Sequence, residues 1–308
     1  MANDLEPGSN FAGYRVERLI GRGGMGAVYA AERSDGGGPV ALKLVLDEHA
    51  AEPRFLARFE REGRLAAGLT HPHLVEVYEA GTEDGVPFLA MALIEGIDLD
   101  YVLGTQGAIH PVTAARIVAE TASALDAAHG EGLVHRDVKP GNILLESRQG
   151  AAHAYLADFG LSRHVDSTSG LTATGHWIGT IDYASPEQLM ASTVDARTDV
   201  YALGCVLHKA LTGSVPYPHE RDVDKVMAHA SGRPPAASEQ VDSVPPELDG
   251  VVARAMASTP EERYQSAGDV GRAAMEAAAT AGPEPDESIR FPLAGDAGDV
   301  DSDAPTAG

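Results

Sequence analysis

The side-chain pattern changes character near residue 97, and that change limits the chain to a two-part architecture. Before it, β-rich runs alternate with turn-forming clusters. Strands are expected at 14–20, 26–33 and 40–46, the last two joined by Ser34-Asp35-Gly36-Gly37-Gly38, and at 74–80 and 86–94 around Thr82-Glu83-Asp84-Gly85. One helix interrupts them at 52–69, with Phe55, Phe59, Glu62, Ala66 and Leu69 at three- and four-residue steps. Beyond residue 97 the period is helical. A helix over 111–129 opens on proline and closes at Gly130, and others are expected at 186–191, 198–211, 221–230, 246–257 and 266–280, with short strands at 142–145 and 154–157. This is an α+β chain of two lobes, about 11–93 and 97–280, with a cleft near 92–96. A short extension, 1–10, precedes them. The tail, 281–308, is rich in Gly, Pro and Asp with few aromatics, a composition that favours disorder.

Charge narrows the function. Forty-six acidic against 23 basic residues give −23 over 308 residues; the tail, with seven acids and one arginine, accounts for −6, leaving −17 on the rest. Such a surface repels nucleic acid and anionic lipid, which need basic patches. Only four lysines occur, Lys43, Lys139, Lys209 and Lys225, so each position matters. The single Cys205 excludes an intramolecular disulfide and fits a reducing compartment. The longest apolar run, 200–207, contains Gly204 and stops at His208-Lys209, short of the roughly 18 residues that cross a bilayer. With no signal-peptide pattern at the N-terminus, the chain reads as cytoplasmic; a membrane span beyond Gly308 in a longer parent stays open.

The polar motifs fall around the expected cleft. Gly21-Arg22-Gly23-Gly24-Met25-Gly26-Ala27-Val28 fits G-x-G-x-x-G-x-V, where absent Cβ atoms let backbone N–H groups approach a polyphosphate. A tight hairpin turn would use the same glycines, and a dinucleotide loop is disfavoured because a strand follows. Lys43 lies 17 residues after Gly26 on an otherwise apolar strand. An inward ammonium needs an anion, and Glu62, inside the apolar stripe of its helix, needs a cation; a surface lysine is the plainer alternative. His135-Arg136-Asp137-Val138-Lys139-Pro140-Gly141-Asn142 gathers acid, bases and an amide where Pro140 bars helix. Asp158-Phe159-Gly160 follows a short strand 16 residues after Asn142. Their amide and carboxylate oxygens suit Mg²⁺.

Taken in order, these segments resemble the signature set of eukaryotic-type protein kinases. The set continues through Gly179-Thr180, Ser185-Pro186-Glu187, Asp199-Val200-Tyr201-Ala202-Leu203-Gly204 and Arg263, covering about 11–278. Details such as Gly23-Gly24-Met25-Gly26 and Pro260-Glu261-Glu262-Arg263-Tyr264-Gln265 are most similar to bacterial serine/threonine kinases of the PknB group. The resemblance implies a bilobal kinase fold and transfer of the ATP γ-phosphate to Ser or Thr of proteins. Ile20, Gly21, Gly23, Gly24 and Gly26 would cover the phosphates, and Lys43, held by Glu62, would contact them. Asp137 would accept the hydroxyl proton, with Lys139 and Thr180 beside it. Asn142 and Asp158 would hold Mg²⁺, with Mn²⁺ as a substitute. Val28, Ala41, Met91, Leu93 and Leu144 would enclose adenine. Ala92 stands where relatives often carry an acid, and Ser185 where many carry alanine.

Thr172 and Thr174 align with activation-loop phosphorylation sites of that group, and Arg136 could pair with such a phosphate. A homodimer phosphorylating itself in trans would follow. Glu187 with Arg263 is read as a structural ion pair, Asp199 as a brace for the 135–142 loop, and Cys205 as buried packing. His71 and His73 flank Pro72, and no zinc site follows from their spacing or from the other histidines. Two other classes compete. A nucleotide-binding pseudokinase predicts decay of Lys43, Asp137 or Asp158, all present; a small-molecule phosphotransferase usually lacks the Glu187 to Arg263 half of the pattern.

Overall fold

The computed structural model describes residues 5–23, 26–46, 52–158, 181–284 and 289–291. In the first lobe, β1 (Asn10–Phe11), β2 (Tyr14–Gly23), β3 (Gly26–Arg33), β4 (Pro39–Val45), β5 (Val77–Glu83) and β6 (Val86–Ala92) make an antiparallel sheet ordered β1-β2-β3-β4-β6-β5. Period-2 alternation gives this sheet two destinations. Val40, Leu42 and Leu44 of β4 pack on one face with Tyr14, Val16, Tyr29 and Phe88. Ala41 and Val45 join the other, with Phe55 and Phe59 of helix α1 (Pro53–Ala67), and Lys43 shares their parity. Gly63 lets α1 approach closely: a Cβ there would sit 2.4 Å from that of Ala80 on β5.

The second lobe starts with β7 (Ile97–Asp98) and α2 (Leu99–Gln106) and continues through α3 (Pro111–Gly130). Strands β8 (Ile143–Arg148) and β9 (Ala151–Leu156) pair with β7 in a three-stranded antiparallel sheet. Then follow α4 (Pro186–Leu189), α5 (Arg197–Thr212), α6 (Asp222–Ser231), α7 (Pro246–Ala255) and α8 (Ala267–Ala278). Helix α5 is the axis of this lobe, with Val200, Tyr201, Leu203, Cys205, Val206 and Leu207 at most 1% exposed. Burial raises the Cys205 thiol far above its usual range, so it is inert packing.

The expected elements form, with three differences besides the unexpected two-residue strands β1 and β7. The strand expected at 74–80 begins at Val77; Leu74 instead makes an isolated parallel bridge to Leu156, stitching the first lobe to the second. Helix α2 was not expected. Its eight residues include Gly104 and are too short to show a period, and its one local signal is the Asp98 cap, whose side chain accepts from the Tyr101 N–H at 2.8 Å. The tail is not wholly solvated at its described residues: Ile289 is 8% exposed, and Gln106 clamps the Arg290 backbone, donating to its O at 2.7 Å and accepting from its N–H at 3.0 Å. Sequence composition cannot see such a long-range clamp. Among the described residues no helix is long and apolar enough to cross a membrane.

Candidate active site

The 135–142 loop is fixed from below by one carboxylate. Asp199, fully buried on α5, accepts from the backbone N–H of His135 at 2.8 Å and of Arg136 at 2.7 Å, and lies 2.7 Å from His129 Nε2. His135 is also fully buried; its Nδ1 accepts from the Asp137 N–H at 3.3 Å, which makes Nε2 the protonated nitrogen donating to the Ala157 O at 2.9 Å. These bonds hold Arg136 at φ 65° and Asp158 at φ 59°. Left-handed backbone costs a side-chain-bearing residue roughly 1–2 kcal/mol, so surrounding contacts must impose it.

On this frame the polar side chains converge. Asp137 Oδ2 receives Lys139 Nζ at 3.0 Å and Asn142 Nδ2 at 3.1 Å, and the same amide nitrogen donates to the Asp137 O at 2.7 Å. With its nitrogen so occupied, Asn142 keeps its amide oxygen for another partner. The Ala157 N–H donates to the Asn142 O at 2.9 Å, which brings Asp158 alongside. Asp158 Oδ1 meets Lys43 Nζ at 2.8 Å across the lobes, with the lysine side chain only 14% exposed. A carboxylate and an amide oxygen on neighbouring backbone are the hard donors that Mg²⁺ prefers, so the residues present fit that ion. All four lysines are ion-paired to aspartates, the remaining two as Lys209–Asp100 at 2.6 Å and Lys225–Asp182 at 2.7 Å.

Glu62 departs from expectation. It is buried on α1 as its place in the apolar stripe predicts, but its described partner is Arg136, whose Nη1 lies 3.4 Å from Oε1; Lys43 is held by Asp158 instead. Each carboxylate pairs with the cation the fold brings nearest, Asp158 with the ammonium at 2.8 Å and Glu62 with the guanidinium at 3.4 Å. The family resemblance implied that Lys43 is held by Glu62, and the structure pairs each of them with a different partner.

The apolar side of the cleft continues the core. Ala41 pairs with Met91 across β4 and β6, both are buried, and Val28, Leu93 and Leu144 pack partly exposed against the same cluster. Ile20 is 43% exposed at the edge, with Gly21 and Gly23 exposed beyond it. Gly26 cannot be replaced without movement, because a Cβ would lie 1.9 Å from the Leu44 O. Gly24, Thr172, Thr174 and Thr180 lie outside the described residues. A cavity of about 620 Å³ lies elsewhere, among Pro186, Met190, Thr193, Arg197 and Pro260, and brings together none of the residues above.

Two further groups support the site. Gln188 Nε2 donates to the Arg136 O at 2.9 Å, a brace that no local motif announced. Glu187 and fully buried Arg263 form the expected pair, two parallel bonds of 2.7 and 2.8 Å, with Thr198 Oγ1 donating to Glu187 at 2.7 Å. Burial alone would raise the Glu187 carboxyl, but these donors outweigh it and hold the group below its ordinary 4.5.

Comparison with known proteins places these features in company. The protein kinase domain profile matches residues 14–273. The chain is 45% identical over 276 residues to the serine/threonine-protein kinase PknH of Mycobacterium bovis, covering 90% of this chain and 46% of that protein. It is 43% identical over 274 residues to PknD of Mycobacterium tuberculosis, covering 89% and 41%. The chain thus spans less than half the length of these relatives. The crystal structure of the Mycobacterium tuberculosis PknI kinase domain superposes with a TM-score of 0.73 at 34% identity, over 89% of this chain and 99% of that one.

Proposed function

This chain belongs to the protein kinase family, beside the bacterial serine/threonine kinases, and on that premise we propose that it transfers the γ-phosphate of ATP to serine or threonine hydroxyls of proteins. The observation that carries this reading is the convergence of Lys43, Asp158, Asn142, Asp137 and Lys139, drawn from both lobes, through contacts of 3.1 Å or less. Phosphoryl transfer is mostly positioning and electrostatic stabilisation, which fixed charges of this kind provide.

In this reading Asp137 accepts the proton of the incoming hydroxyl, and Lys139, already on its Oδ2, offsets the charge of the moving group. Lys43 orients the phosphates. Asp158 and Asn142 hold Mg²⁺, or Mn²⁺ in its place; a divalent ion bound there neutralises phosphate charge. Ile20, Gly21, Gly23, Gly24 and Gly26 cover the phosphates, Val28, Ala41, Met91, Leu93 and Leu144 enclose the base, and Thr180 lines the acceptor side. Regulation uses Arg136. A phosphate on Thr172 or Thr174, placed there by a second copy of the chain, adds about −1.5 to −2 charges and draws the guanidinium away. Glu62 is then released to Lys43.

The test is incubation of the chain with labelled ATP, Mg²⁺ and a serine- and threonine-bearing protein, with modified residues mapped. Asp137→Asn should keep nucleotide affinity and lose roughly 10²–10⁴-fold in rate, the usual contribution of a positioned base. An Asp137→Asn chain working at the parental rate sinks the assignment. Unmodified Thr172 and Thr174 in a fully active enzyme sink the regulatory part.

A further inference from the structure

Sequence spacing gave His71 and His73 no metal partners; the fold supplies them for His73. His73 lies in the loop between α1 and β5, Glu120 on α3 and His153 on β9, and one donor atom from each falls within 4.8 Å of the other two. All three are half-buried, and none is among the residues assigned to phosphoryl transfer. We propose that His73, Glu120 and His153 form a binding site for a transition-metal dication, Zn²⁺ by the chemistry of its ligands.

Three observations carry the proposal. First, each imidazole is oriented by a backbone carbonyl: His73 Nδ1 lies 2.9 Å from the Ala154 O and His153 Nε2 lies 3.0 Å from the Pro72 O. A ring nitrogen facing a carbonyl is its N–H, which leaves His73 Nε2 and His153 Nδ1 as the ligand atoms, and carbonyl-oriented imidazoles are the usual surroundings of a metal site. Second, Glu120 is also positioned. Its Oε2 accepts from the Ala154 N–H at 2.7 Å and lies 3.7 Å from His73 Nδ1, while Oε1 is 4.0 Å from Arg116 Nη1. Third, the His73 and His153 rings stack at 4.5 Å with a 30° tilt, so a pair of histidines is brought together by packing alone.

Two imidazoles and one carboxylate form the three-ligand set that leaves a fourth zinc position to water. Mg²⁺ and Ca²⁺ prefer oxygen and are poorly matched. Around tetrahedral zinc the ligand atoms stand roughly 3.3 Å apart, so closure draws them in by about 1 Å through side-chain rotation that unstacks His153. The ion would join three elements that already touch: the loop meets β9 where Val75 N–H donates to the Leu156 O at 3.0 Å and Leu156 N–H to the His73 O at 2.8 Å, and α3 meets β9 through Glu120 and the Ala154 N–H. Its effect is to pin the loop that follows α1 to α3 and β9 of the second lobe.

Titration of the intact, tag-free chain with Zn²⁺ against a chromophoric chelator tests this, alongside His153→Gln and Glu120→Gln. One equivalent should bind, either substitution should weaken it at least tenfold, and saturating zinc should raise the melting temperature by roughly 5 °C in the parent only. Circular dichroism of the metal-free variants confirms that they fold, and His153→Gln should phosphorylate at the parental rate without zinc. No stoichiometric binding by the parent, or equal binding by folded variants, overturns the site. A site that moves with Asp158→Asn but not with His153→Gln overturns it equally, since the zinc is then held in the phosphate cleft.

Discussion

Among the described residues two glutamate–arginine pairs have a buried carboxylate, and they are built differently. Glu187 and Arg263, inside the helical lobe, meet through two bonds of 2.7 and 2.8 Å, and the guanidinium also donates to the backbone carbonyls of Arg197, Ala257 and Ser258. Glu62 and Arg136, at the junction of the lobes, meet through one 3.4 Å contact, with the arginine side chain 22% exposed. A bidentate pair with every donor engaged has one arrangement, whereas a 3.4 Å contact to a partly exposed guanidinium constrains its partners less. The first pair holds a lobe together; the second is suited to switching.

The largest effect should come from Arg263→Leu. Removing one partner of a buried pair costs about 3–5 kcal/mol, because Glu187 is left charged and unmatched. Chemical denaturation measures this, and a loss below about 1 kcal/mol would erase the distinction drawn between the pairs. Glu62→Gln should do the reverse, leaving the unfolding midpoint nearly unmoved and reducing the phosphorylation rate on the order of 10²-fold through misplacement of Lys43. A rate unchanged by Glu62→Gln would mean that Arg136 never hands it over.

Acid sharpens the comparison further. Glu187 is held below 4.5, so its pair contributes fully above that value and loses its contribution as pH falls through the lower folded value. In Arg263→Leu the sign inverts: burial without a partner raises the carboxyl, and acid then relieves the variant. His229 works in a separate window. Burial lowers its imidazole from 6.5 to about 4, so the unfolded chain takes up the proton first and stability drops between those values. Melting curves from pH 7 to 3 on parent and Arg263→Leu should therefore diverge on both sides of 4.5, the variant gaining stability above it as its raised carboxyl takes up a proton and the parent alone losing stability below it, over the same His229 slope. Parallel curves there would contradict the assignment.

Much of this architecture could be read along the chain. The stripe of α1 put Glu62 inward, and Pro140 kept α-helix out of the 135–142 loop, which instead closes in a single 3-10 turn at Pro140–Asn142; the side on which Lys43 lies was left open by a strand apolar on both faces. Helix α2 escaped notice because eight residues with one cap carry too little period. The Gln106 clamp on Arg290 joins residues 184 apart, and no local rule reports such a contact.

Order along the chain settled which chemical groups the protein owns and which lobe each belongs to, because periodicity, proline and glycine act over a few residues. Which cation each carboxylate chose was decided only by the folded molecule. Asp158 took Lys43, Glu62 took Arg136, and Glu120 came to stand between two histidines, since electrostatic pairing depends on distance in space and several partners were equally eligible by number.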